Sequence, residues 1–90
     1  MSGLLRKNER VVFREVKEGG VLLDLETGEY FSLNRLGCRI WAEADGRSVE
    51  HLQETLRSEL PEAPETMEDD VDAFVSELEK RGLIAYERGG

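Results

Sequence analysis

Residues 21–34 read VLLDLETGEYFSLN, and this stretch decides the fold. Two runs rich in strand-forming residues, VLLDL at 21–25 and EYFSL at 29–33, flank Glu26-Thr27-Gly28, which has the composition of a tight turn. Upstream, VVFREV at 11–16 is rich in β-branched residues and is punctuated by Glu18-Gly19-Gly20. The pattern predicts a meander of three short antiparallel strands. With Thr27-Gly28 as a two-residue turn, Tyr30 stands opposite Leu25, Phe31 opposite Asp24 and Leu33 opposite Leu22. Leu22, Phe31 and Leu33 then share one face, and Val21, Leu23, Leu25 and Tyr30 the other. Both faces are apolar, which leaves two readings open: something docks on the second face, or a one-residue bulge changes the pairing and buries more of it.

Downstream the period changes from two to that of a helix. Asn34 is a good N-cap for a helix over 35–44, in which Leu36, Ile40, Trp41 and Ala44 recur at helical spacing. Asp45-Gly46 ends it. Ser48 caps a second helix reaching about Leu60, with Val49, Leu52, Leu56 and Leu60 as its apolar stripe, and Pro61 and Pro64 close that segment. Thr66 with Asp69 resembles a capping box for a third helix, which carries Val71, Phe74, Val75 and Leu78 inward and stops at Gly82. Residues 83–86 suit a short extended segment. The expected fold class is α+β and winged helix-turn-helix-like, a three-stranded antiparallel sheet followed by three helices. Residues 1–10 carry no periodicity and are expected to be flexible, as are 87–90, leaving 11–86 as the folded domain.

Charge narrows the function. Winged helix-turn-helix domains often bind DNA, but twenty acidic against twelve basic side chains give a net charge of −8. Residues 59–72 hold seven acids and no base, and the third helix sets six acids against Lys80 and Arg81. Phosphates would repel such a helix, so nucleic acid is not the expected partner. The acidic run also reads as an ordinary solvated helix start, with Glu68, Asp69 and Asp70 at the positive end of the helix dipole. No apolar run approaches the roughly eighteen residues of a membrane span and no secretory signal is visible, so a cytoplasmic protein with no membrane partner is expected. Cys38 stands alone, which rules out an internal disulfide, and neither a CxxC pair nor a histidine cluster offers zinc ligands. Cys38 and His51 are the only candidates for a nucleophile and base, on different predicted helices with no orienting third group. The simpler reading is a core-filling thiol and a helix-end histidine, hence no enzyme, no metal and no cofactor.

Taken together, VLLDLETGEYFSLNRLGCRIW, DGRSVEHL and DDVDAFVSELEKRGLI resemble the PqqD-like family of precursor-peptide recognition elements, over roughly residues 11–86. The LDLETGEYFSLN block is most similar to the free-standing recognition protein of split lasso-peptide systems. The resemblance implies a non-catalytic domain that captures the leader of a ribosomally synthesised precursor peptide and presents it to a separate leader peptidase or another modifying enzyme. It further implies that the leader adds as a strand along Glu29, Tyr30, Phe31, Ser32 and Leu33, with side chains entering a groove beside residues 69–79 of the third helix. Two flanks of that helix are available: Asp72, Val75 and Glu79, or Asp70, Phe74 and Glu77. The first is taken to face the strand, so that Asp72, Val75, Ser76, Leu78 and Glu79 complete the expected peptide site, with Phe74 helping to form its pockets and the acids as rim charges.

Such a site needs pockets as well as an edge. Ordering about six leader residues costs on the order of 6–12 kcal/mol. Four or five backbone hydrogen bonds return only about 0.5–1.5 kcal/mol each. Buried apolar anchors, at about 1.5–3 kcal/mol each, must supply the remainder. Two alternatives stay open: an acidic structural or regulatory subunit docked on an enzyme through Val21, Leu23 and Leu25 without binding a leader, or a chaperone of pyrroloquinoline quinone biosynthesis.

Overall fold

A computed structural model describes residues 3–87. Their elements run β1 (Leu4–Lys7), β2 (Val11–Val16), β3 (Gly19–Asp24), β4 (Tyr30–Leu33), α1 (Arg35–Ala44), α2 (Val49–Glu59), α3 (Met67–Lys80) and β5 (Ile84–Glu87). Strands β2, β3 and β4 form the expected antiparallel sheet in that order, and the three expected helices follow it.

The register differs from the expected one by two residues. Leu22 pairs with Phe31 and Leu23 with Tyr30. The cause is Asp24, which is almost fully buried and whose carboxylate accepts hydrogen bonds from the Glu26 and Thr27 amides. Its own amide donates to the Glu29 carbonyl, and Gly28, at φ 78°, donates to the Asp24 carbonyl. The hairpin therefore closes across Asp24 and Glu29 on a four-residue turn. A shift of two keeps every side chain on its predicted face. Leu22 and Leu33 are buried under the helices with Phe31 packed against them, while Leu25 leaves the strand and lies 63% exposed in the turn.

The other hairpin turns at Lys17 and Glu18, so Gly19 and Gly20 open β3 instead of forming the turn. A Cβ on Gly19 would overlap the Leu33 carbonyl oxygen, so the glycine is there for space.

Asn34 and Ser48 cap α1 and α2 as their chemistry dictates, accepting from the Gly37 and His51 amides respectively. Thr66 does not cap α3. Its own backbone is already helical, at φ −78° and ψ −4°, so its hydroxyl cannot reach back to a first-turn amide. The segment before it is held from outside: the Arg57 guanidinium donates to the carbonyls of Pro61, Ala63 and Pro64 and to both carboxylate oxygens of Glu68. At the other end, Gly82 at φ 74° donates to the Glu79 carbonyl and the Leu83 amide to that of Leu78, a Schellman stop.

The N-terminal segment is the main departure. Leu4–Lys7, expected to be flexible, is a strand paired antiparallel with β5, Leu5 opposite Tyr86. Leu5 is fully buried, and its amide and carbonyl bond the α1–α2 connection at Arg47 and Gly46. Glu87 likewise belongs to a strand; residues 1, 2 and 88–90 lie outside the described residues. The core gathers Leu5, Leu22, Leu33, Ile40, Trp41, Leu52, Leu56, Val71, Val75, Leu78 and Ile84 from both sheets and all three helices.

Candidate peptide-binding groove

β4 is an edge strand of its sheet, and no strand among the described residues pairs with its outer side. Backbone donors and acceptors on such an edge are a template for a further strand. α3 lies alongside. The ring of Phe74 meets that of Phe31 at 5.9 Å between centroids, inclined by 49°. It also presses on Gly37, where a Cβ would come within 3.1 Å of it. Above Phe31 sits the guanidinium of Arg81, 4.9 Å from the ring centroid, held by an ion pair of 2.9 Å to Glu77 one turn back on α3.

These contacts settle which flank of α3 faces the sheet. Phe74, Glu77 and Arg81 stand beside β4, not Asp72, Val75 and Glu79 as expected. The latter acids turn toward β5, where burial first, and then the charges of Glu79, Asp72 and Glu50, push the Tyr86 hydroxyl above its ordinary range. Val75 and Leu78 are fully buried and belong to the core, so they cannot line an open groove. Ser76 is exposed on α3. Of the strand residues, Leu33 is buried, Phe31 half-buried, and Glu29, Tyr30 and Ser32 exposed, Tyr30 to 71%. The side chains beside the β4 edge are thus Phe31 with Phe74, and Arg81 over Phe31. Gly37 was the signal for this arrangement, because a glycine inside a helix marks close approach by a neighbour. Arg81 had no signal beyond its spacing of four from Glu77.

On its other face the sheet presents Val12, Val21, Leu23 and Tyr30, all at least partly exposed. Cys38 and His51 stay apart. Cys38 lies in α1 and His51 in the first turn of α2, with no contact between them. Burial first, and then Glu15, push the Cys38 thiol above its ordinary range, away from the reactive thiolate. No three His, Cys, Asp or Glu side chains among the described residues are arranged to hold a metal ion. No helix among them is long and apolar enough to cross a membrane.

A three-stranded sheet with an open edge at β4, beside which Phe31, Phe74 and Arg81 meet, backed by three helices, defines a small α+β domain. The sequence model of the coenzyme PQQ synthesis protein D (PqqD) family matches residues 19–84, and the chain belongs to that family. Two solved structures are similar over nearly their whole length. TbiB1 in complex with the TbiA(beta) leader peptide is 28% identical, covers 93% of this chain and 99% of its own, and superposes with a TM-score of 0.75. A lasso peptide synthetase B1 complexed with the leader peptide is 30% identical over 90% of this chain and 96% of its own, with a TM-score of 0.70. A search of curated proteins finds no match.

Proposed function

We propose that this protein binds the leader of a ribosomally synthesised precursor peptide, of the lasso class, as an added strand on β4, and presents it to a separate leader peptidase without chemistry of its own. The observation that carries the reading is the open β4 edge lying beside the paired rings of Phe31 and Phe74. Its likeness to two proteins solved with leader peptides supports the same ligand class. Energetics agree with the geometry: backbone pairing alone falls short of the ordering cost, and the aromatic pair supplies the apolar anchor that closes the gap. Arg81, stacked on Phe31, is placed to cover an inserted side chain and to offer it a cation. Catalysis falls to the partner, since Cys38 and His51 stand on different helices and burial pushes the Cys38 thiol up, away from the thiolate.

Amide hydrogen exchange tests the mode directly. Adding a leader peptide should slow exchange at Tyr30 to Ser32 and shift the amides of Phe74 to Arg81. Binding confirmed by calorimetry with unchanged exchange along β4 would overturn strand addition.

A further inference from the structure

The sheet has a second open edge. β2 lies at the end of the sheet opposite β4, and no strand among the described residues pairs with its outer side. Every residue from Val12 to Val16 is exposed, Val12 and Phe13 to 39% and Val16 to 48%. An apolar strand left this open invites pairing unless charge or a covering element prevents it. Next to its end, between the β2–β3 turn and α1, opens a cavity of about 600 Å³.

This cavity is amphipathic and locally basic on an acidic molecule. Val16, Leu36 and Leu60 give it apolar walls, and Lys17, Arg35 and Arg39 line it against a single acid, Glu15. Arg39 is paired with Glu59. Lys17 and Arg35 have no carboxylate within ion-pair distance among the described residues, in a chain of net charge −8. Arg14 on β2 is exposed and likewise without such a partner.

From this juxtaposition we infer that the β2 edge and its adjoining cavity form a second docking site, for an extended segment of a partner protein whose aliphatic and acidic side chains come in consecutive pairs, so that each face of the added strand carries both kinds. The backbone of the segment pairs with β2. Its acids meet Lys17 and Arg35, and its aliphatic side chains fill the space between Val16, Leu36 and Leu60. The six residues of a second copy's β2 offer only Glu15 as an acid and bring Arg14 with it, so charge favours a heterologous segment. Site and ligand differ from those of β4, which stands at the other end of the sheet beside the rings of Phe31 and Phe74. A chain with both edges filled would hold a peptide on one side of the sheet and a protein partner on the other.

The probe is an acetylated, amidated octapeptide of sequence Leu-Leu-Glu-Glu repeated twice, with a Lys-for-Glu peptide as control, titrated into the full chain and followed by amide chemical shifts. The acidic peptide should move the amides of Val12 to Val16 and Arg35 to Arg39 and leave Tyr30 to Ser32 in place. Lys17→Glu with Arg35→Glu should weaken binding by at least about tenfold, and the Gln pair at the same positions by about threefold. Circular dichroism checks both variants, and the Gln pair gives the same readout should the reversed pair not fold. Equal binding of the Lys peptide, shifts confined to β4, or concentration-dependent pairing of two chains through β2 in place of peptide binding would each overturn the proposal.

Discussion

Arg57 shows how much one side chain can organise. Its guanidinium donates to three carbonyls of the proline-bearing loop and to both oxygens of Glu68, so it fixes the α2–α3 connection that the failed Thr66 cap leaves unsupported. The Arg57 hydrogen bond is the main reason that the Glu68 carboxyl is held down at about 2, well below its ordinary 4.5. A carboxyl depressed on folding adds stability that is complete above about 4.5 and disappears as pH falls through about 2. Urea unfolding at stepped pH should therefore show wild type losing stability between those limits, with a shallower loss in Glu68→Gln, and parallel curves would refute the linkage. At the same scale, Cys38→Ala and His51→Ala should leave leader binding and partner-assisted cleavage near wild type. A loss of cleavage with binding intact would show that one of them takes part in chemistry.

Among elements, α3 separates the two jobs that its side chains were expected to share. Val75 and Leu78 hold the core, and Phe74 with Arg81 faces the open strand. Phe74→Ala should weaken leader binding by roughly 1–3 kcal/mol in calorimetry, the scale of losing an anchor at an interface centre. Asp72→Ala and Glu79→Ala, on the flank beside Tyr86, should cost below about 0.5 kcal/mol. Val75→Ala should instead destabilise the fold, by on the order of 2 kcal/mol in urea, with little change in affinity for whatever fraction stays folded. The reverse ranking would return the groove to the Asp72 flank. Sequence could not choose between the flanks, because each pairs an apolar residue with acids at the same spacing. Only the depth of the Phe74 ring against Gly37 and Phe31 decides, and that depth is a tertiary property.

Across the whole molecule, what was legible is what is local. The three-strand meander, the Asn34 and Ser48 caps, the Gly82 stop and the facing of Leu22, Phe31 and Leu33 follow from neighbours a few residues apart. The β3–β4 register was missed because a buried Asp24 side chain, not a two-residue turn, closes the hairpin. The strand at Leu4–Lys7 was missed because four residues show no usable period and their partner lies some eighty positions away. That strand is nonetheless structural: Leu5→Ala should lower stability by about 2–5 kcal/mol in urea denaturation, and a cost near zero would mean that the β1–β5 pair is dispensable.

The pairing of Leu4 with Glu87 also sets how the molecule answers to force. A load applied between residues 3 and 87 acts at one end of a short antiparallel ladder and peels its hydrogen bonds one after another, instead of shearing them all together. Opening this zipper pulls Leu5 out of the interior before any part of the β2–β3–β4 sheet bears load. Under tension the core would therefore be breached while both edges of that sheet were still in place.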